Sequence, residues 1–228
     1  MCGRFALDYT TLSIKDWYKV ASLPEIQPRF NIAPISNILV IRDTVEGREG
    51  LLMRWGFLPR WAKDTKKLPL LNNARAETVA IKPIFKHAFR SQRCIIPATG
   101  FYEWKPSKDG KHKQPYYIST NEDGCLISFA GIWETATING ITIESCSIIT
   151  TACNELMRPI HDRMPVILPY ESIDTWLKPD KLPVEILEFF LKPYDSEQMQ
   201  VWPVSTAVNK ASNQGKQLIH PINIESIQ

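Results

Sequence analysis

The sequence predicts an α+β fold: a single domain spanning 1–228, mainly antiparallel strands forming a distorted barrel-like sheet with surrounding helices. Three observations predict it. Eight β-rich runs bounded by turn formers outnumber four helical patterns. Two pairs of those runs are joined by short turn signals, Asp109-Gly110 and Asn139-Gly140, as antiparallel hairpins require. The 17 prolines are scattered, with no repeat, low-complexity tract or Gly/Ser linker, so the 228 residues break into many short elements around one core.

The strand runs are 37–42, 49–55, 93–97, 100–105, 115–120, 126–133, 141–150 and 164–168. Lys108-Asp109-Gly110-Lys111 joins 100–105 to 115–120, and Asn139-Gly140 joins 126–133 to 141–150. Helical periodicity covers 10–20, with Leu12, Trp17 and Val20 on its apolar face, then 82–90, with Ile84, Phe85 and Phe89. It returns over 170–177 and 184–191. In the last helix Ile186, Leu187, Phe189, Phe190 and Leu191 make a broad face that reads as core packing.

Composition excludes several classes. Hydrophobic residues are 44% and charged residues 22%, which fits a folded globular chain and not a disordered one. The net charge of +3 permits an anionic partner without demanding one. No apolar run approaches the roughly 20 residues of a spanning helix, and Met1-Cys2-Gly3-Arg4-Phe5 lacks the apolar stretch of a signal peptide. A cytoplasmic protein, nucleoid-associated if bacterial, with no membrane partner is the expectation. The five cysteines show no C-x-x-C spacing, so neither a disulfide framework nor a metal site is expected, and no cofactor is implied. Cys94, Cys125 and Cys146 lie in apolar runs and read as small buried hydrophobes.

Cys2 is different. Removal of Met1 would give it two nucleophiles on adjacent carbons, an α-amine with a pKa of roughly 7.7–8.0 and a thiol near roughly 8.5. The amine can form an imine with an aldehyde. The thiol can then close a five-membered thiazolidine, chemistry that only an N-terminal cysteine offers. Three polar clusters interrupt apolar strands and are candidate partners: Asn72-Asn73-Ala74-Arg75-Ala76-Glu77-Thr78, Glu103 among Phe101, Tyr102 and Trp104, and His161-Asp162-Arg163. A pocketed Glu103 would suit acid/base work, whereas strand alternation would turn it to solvent. His161 can shuttle protons, with Asp162 to orient it. Arg54, Arg60, Lys63, Lys66 and Lys67 surround Trp55 and Trp61, a pattern that suits single-stranded nucleic acid. Lys105, Lys108, Lys111 and Lys113 crowd the first hairpin turn and read as a solvated turn. His87, His112 and His220 read as surface or packing residues. The 203–215 stretch, with Asn209, Lys210, Asn213 and Gln214, is a polar tail that could lie near a site.

Taken in order, these clusters resemble the SRAP family, named for SOS-response-associated peptidases and including the HMCES-type proteins. The matching residues are Met1 to Phe5, Phe30-Asn31-Ile32-Ala33-Pro34, Trp55-Gly56, Asn73 to Thr78, Phe101 to Lys105, Gln114-Pro115, Thr150-Thr151-Ala152, Ile160 to Pro165, Pro203-Val204-Ser205 and Asn213-Gln214-Gly215. They run from residue 1 to about 221. The resemblance implies a sensor of abasic sites in single-stranded DNA that crosslinks itself to the ring-opened sugar through a thiazolidine. It implies Cys2 as nucleophile, Asn73 orienting the amine or the sugar, Glu103 as acid/base and His161 assisting proton transfer and holding the 3′-side phosphate or sugar hydroxyl. Arg4, Arg75 and Arg163 would contact phosphates, Trp61 and Trp104 would pack against the strand, and Asn31, Pro34 and Thr150 would complete the DNA-binding set. Self-removal of Met1 and AP-lyase-like chemistry are implied too, by a chain expected to be a monomer. Ala62 departs from the family, which often carries an aromatic there.

Two other readings compete. A Cys-Gly start also resembles class II glutamine amidotransferases, in which an Asn-Gly pair helps form the oxyanion hole, and Asn139-Gly140 is the only candidate noted for it. A non-catalytic reader of single-stranded nucleic acid would use the same basic and aromatic residues without covalent chemistry.

Overall fold

The computed structural model describes residues 2–65, 68–107, 110–121 and 126–223. Met1, Lys66, Lys67, Lys108, Asp109 and Cys125, all singled out above, lie outside the described residues. In chain order the strands are β1 (Phe5–Leu7), β2 (Arg29–Ile32), β3 (Asn37–Thr44), β4 (Gly47–Trp55), β5 (Asn73–Arg75), β6 (Arg93–Ala98), β7 (Gly100–Pro106), β8 (Lys113–Thr120), β9 (Ile127–Ile138), β10 (Ile141–Ala152), β11 (Arg163–Pro165), β12 (Ile167–Leu168) and β13 (Met199–Pro203). The helices are α1 (Thr11–Tyr18), α2 (Ala76–Val79), α3 (Lys86–Ser91), α4 (Ile173–Leu177) and α5 (Val184–Phe189).

Five strands close on themselves in the order β10-β4-β3-β6-β9, returning to β10. This is the expected barrel. One seam departs from the antiparallel expectation, because β10 meets β4 in parallel register, Cys146 opposite Trp55. The β9–β10 hairpin is built as its turn residues require. Asn139 and Gly140 sit at φ 52° and 77°, which only a few residue types tolerate and which matches the strand twist. The β7–β8 pairing likewise forms a hairpin, from Phe101↔Ile118 to Pro106↔Lys113. A second sheet, β13-β8-β7-β1-β2, lies beside the barrel and carries the chain's N-terminal strand in its interior.

Phe5 ties the two together. Its ring meets Trp55 edge-on at 5.2 Å and Phe129 at 6.0 Å, and Phe101 meets Phe129 at 6.0 Å. Trp55 is wholly buried, donating its indole N–H to the Asn72 carbonyl at 2.9 Å. It is a core residue and not a stacking platform, which corrects its reading as part of a nucleic-acid patch. Two of its basic neighbours are engaged as well. Arg54 donates to the Gly56 carbonyl, and Arg60 pairs with buried Glu134 at 3.0 Å. His87, read as surface or packing, joins that cluster through Arg60 at 2.8 Å.

The helices are shorter than their periodicity suggests. Lys19 adopts φ 54° and ends α1, while Ile14 and Tyr18 face the core. Leu12, assigned to the apolar face, is 72% exposed. Pro83 delays α3 to Lys86, but Phe85 and Phe89 are buried as expected. In α5 only Leu187 is buried; Phe189 is 66% exposed, so the broad face is not all core. Cys94 and Cys146 are buried and free, as small hydrophobes should be. No helix among the described residues is long and apolar enough to cross a membrane.

Candidate active site

The interior position of β1 places Cys2. Phe5 pairs with Phe101 of β7 and the Tyr102 N–H donates to the Arg4 carbonyl at 2.9 Å, which runs residues 2–5 alongside Glu103. From the barrel side, β5 pairs in parallel with β10, Asn73 opposite Ile148. From there the Asn73 Nδ2 donates to the Cys2 carbonyl at 2.8 Å. Just before β11 stands His161, whose Nε2 is 3.9 Å from Glu103 Oε2. The three separate sequence clusters therefore converge on Cys2.

Burial governs the electrostatics. Cys2 is wholly enclosed, and this desolvation, followed by the charge of Glu103, pushes its thiol well above the usual range. Glu103 is 3% exposed, so strand alternation does not turn it to solvent. Burial raises its carboxyl above the ordinary glutamate value, and His161 is only one of several smaller opposing influences. A carboxyl that keeps its proton longer is suited to act as a general acid. His161 Nδ1 accepts the Arg163 peptide N–H at 3.0 Å, so the neutral ring carries its proton on Nε2, toward Glu103. Asp162 Oδ1, 2.9 Å from Nδ1, is placed to accept a proton from Nδ1 in the charged ring. The imidazole thus has a partner in either state. Asn73 Oδ1 is buried with no hydrogen-bond partner among the described residues, an acceptor awaiting a donor beside Cys2.

Around this centre the expected DNA-binding residues fall into two groups. Trp61, 60% exposed, and Arg75 present side chains to solvent. Pro34 is half-buried in the turn after β2, beside Ile35 at φ 73°, an uncommon conformation for a β-branched residue. The others are already engaged. Arg4 Nη1 donates to Asn31 Oδ1 at 2.6 Å and to the Val208 carbonyl at 2.7 Å, and the guanidinium sits 5.7 Å from the Trp104 ring centroid. Trp104 donates to Asn209 Oδ1 at 2.7 Å. Asn31 is 2% exposed and its Nδ2 faces the carbonyls of Val208, Lys210 and Asn213 at 3.0–3.1 Å. The polar tail does reach the site, held by Asn31. Arg163 forms a two-pronged pair with Glu77 and donates to the carbonyl of buried Thr150 at 2.6 Å. Glu77 stands in the Asn73-to-Thr78 cluster, where its residue type alone assigns it no role; its place four residues after Asn73 was the available signal.

The Asn139-Gly140 pair is exposed at the turn of the β9–β10 hairpin, at the opposite end of β10 from Thr150. This is the hairpin turn its residues require, and it leaves the amidotransferase reading without an oxyanion-hole element at Asn139-Gly140. Among the described residues no group of three or more His, Cys, Asp or Glu side chains is arranged to hold a metal.

Comparison with known proteins bears on this site. The family described as SOS response associated peptidase (SRAP) matches residues 1–211. The abasic site processing protein YoaM of Bacillus subtilis is 42% identical, over 98% of this chain and 99% of that protein. The abasic site processing protein YedK of Escherichia coli is 34% identical, over 97% and 100%. A crystal structure of a protein from Bacteroides thetaiotaomicron superposes with a TM-score of 0.86 at 28% identity, covering 97% of this chain and all of the other.

Proposed function

The chain belongs to the SRAP family, and from that premise we propose that it processes abasic sites in single-stranded DNA by joining itself to the lesion through Cys2 once Met1 has been removed. The observation that carries this reading is the convergence of Asn73, Glu103 and His161 on a buried second residue. Two relatives named as abasic site processing proteins support the substrate class.

The chemistry balances without oxidant or cofactor. In the lesion the C1′–O4′ bond of the cyclic sugar breaks. O4′ takes a proton from Glu103, and the C1′ hydroxyl gives one up, leaving an aldehyde. The freed α-amine of Cys2 attacks C1′, and the resulting carbinolamine loses water as its hydroxyl is protonated. The Cys2 sulfur then adds to the imine carbon while the thiol proton passes to nitrogen. One aminothiol and one aldehyde give one thiazolidine and one water. Asn73 holds the Cys2 carbonyl through Nδ2 and offers Oδ1 to the amine. Glu103 and His161 exchange the protons, and the same pair serves reversal. Burial that raises the thiol favours attack by the amine before addition of the sulfur.

In this reading Arg4 and Arg75 address the phosphates and Trp61 and Trp104 pack against the strand, while Arg163, expected from the sequence to join them, is held by Glu77 and the Thr150 carbonyl. Pro34 shapes the neighbouring turn. Asn31 and Thr150 act through the arginines they hold. Self-cleavage of the Met1–Cys2 bond and lyase-type strand breakage belong to the same reading, as does a monomeric state.

The test is an oligonucleotide carrying one abasic site. The processed protein should give a species that survives boiling in detergent and is absent in Cys2→Ala. No such species from protein with a free Cys2 amine would sink the proposal. Salt-sensitive binding that survives Cys2→Ala without any crosslink would favour a non-covalent reader instead.

A further inference from the structure

Glu77 has no task in the chemistry above, yet it occupies a particular place. It lies four residues after Asn73, and Arg163 lies two after His161. Between these two arms stands β10, with Thr150 opposite Arg75 of β5 in one direction and Pro165 of β11 in the other. Both flanking ladders are short. Each has three paired positions, against eight for β9–β10. Ladders of that length fray readily, so a side-chain contact across their ends matters more than it would along a long strand.

The Arg163 guanidinium makes that contact. Nη1 and Nη2 donate to the two Glu77 oxygens at 2.5 and 3.0 Å, and Nη2 also donates to the Thr150 carbonyl at 2.6 Å. The Arg163 side chain is 14% exposed and that of Glu77 52%, so the pair is half-shielded; its two-pronged geometry and the third bond to the Thr150 carbonyl set it apart from a simple surface pair. The pair holds the Glu77 carboxyl below the usual range, chiefly through this hydrogen bond, so it stays charged around neutral pH. The peptide N–H of the same Arg163 fills His161 Nδ1.

Two roles compete for Glu77. A carboxylate standing in for phosphate would need only the outer fork of the arginine. Here the guanidinium also grips the strand beneath it, which is what a strut does. We propose that Glu77 is a positioning residue: with Arg163 and the Thr150 carbonyl it clamps the Asn73 arm and the His161 arm against β10, fixing both on Cys2. This rests on the crosslinking reading above.

The test uses the full chain carrying Glu77→Gln, with Glu77→Asp as the conservative variant. Three quantities are measured: the single-turnover crosslinking rate on an abasic oligonucleotide, the Kd for the same oligonucleotide without the lesion, and the imidazole ¹⁵N shifts of His161. Glu77→Gln is expected to slow crosslinking roughly tenfold to a hundredfold, with Kd unchanged and the His161 signals drifting toward a tautomer mixture. Glu77→Asp should recover most of the rate. Tighter binding in Glu77→Gln would overturn the clamp in favour of a phosphate competitor. A parallel loss of affinity and rate would overturn it in favour of a binding residue, and an unchanged rate with unchanged shifts would overturn it outright. If the wild type forms no crosslink, the parent reading fails. The His161 shifts then still decide the clamp: a drift in Glu77→Gln supports it, and unchanged shifts overturn it.

Discussion

Replacing Asn31 by leucine removes a buried polar hub without changing its size much. The Nδ2 group has two hydrogens facing three carbonyls, those of Val208, Lys210 and Asn213, so it makes two full hydrogen bonds at most. Its Oδ1 accepts one charged donor, Arg4, at 2.6 Å. Two neutral bonds at about 1 kcal/mol each and one charge-assisted bond at about 1.5–3 kcal/mol sum to about 4 kcal/mol. That is a large share of the 5–15 kcal/mol (about) that stabilises a typical domain. Urea unfolding should therefore show a midpoint shift at constant slope. Hydrogen exchange should show the 206–214 segment losing protection. Asn31→Asp separates the two halves of the hub: it keeps an acceptor for Arg4 but sets a carboxylate against three carbonyls. It should free the tail just as the leucine variant does. A loss below about 1 kcal/mol with the tail still protected would refute the hub, because it would mean these bonds are exchanged for water at no net cost.

Two further outcomes follow from the site. Glu103 has a folded pKa raised by burial, so the folded state holds its proton more tightly than the unfolded chain. The stability this group contributes is complete below the ordinary carboxylate range and is lost as pH rises through the raised value. Glu103→Gln should therefore melt higher than wild type at mildly alkaline pH and lose that advantage in acid, while reversing its crosslink more slowly; a lower melting temperature at alkaline pH would contradict the assignment. Trp61 is exposed and packs on little, so Trp61→Ala should leave thermal stability unchanged. It should weaken binding to lesion-free single-stranded DNA by about 1–3 kcal/mol, measured by fluorescence anisotropy. Unchanged affinity would remove Trp61 from the interface.

Much of this was legible in the residues, and the gaps have physical reasons. The long hairpins declared themselves because Asn139-Gly140 and the alternation around it are local signals. Four strands did not: β1, β2, β5 and β13 have three to five residues each. β5 reads Asn-Ala-Arg, with no strand propensity, and is extended only because it adds to β10 in parallel. Pairing of that kind is invisible to any local window. Trp55 among arginines looked like a stacking platform, since periodicity cannot tell an aromatic that faces a barrel interior from one that faces solvent. Arg60 and Arg163 looked free because their carboxylate partners, Glu134 and Glu77, are 74 and 86 residues away in the chain. The site itself was accessible because Asn73, Glu103 and His161 stand in polar clusters beside apolar runs, and Glu103, inside the buried part of β7, is a polar interruption that has to be compensated in the fold.

The central claim is that Cys2 acts through both its amine and its thiol, and intact mass spectrometry tests it most directly. After incubation with a single-stranded oligonucleotide bearing one abasic site, the account predicts one new species. Its mass is that of the chain without Met1 plus the oligonucleotide less one water, formed without added reductant, and it is absent from Cys2→Ala, whose amine alone gives only a hydrolysable imine of that same mass loss. A protein that has lost Met1 and still yields only the sum of separate, unjoined masses would contradict it.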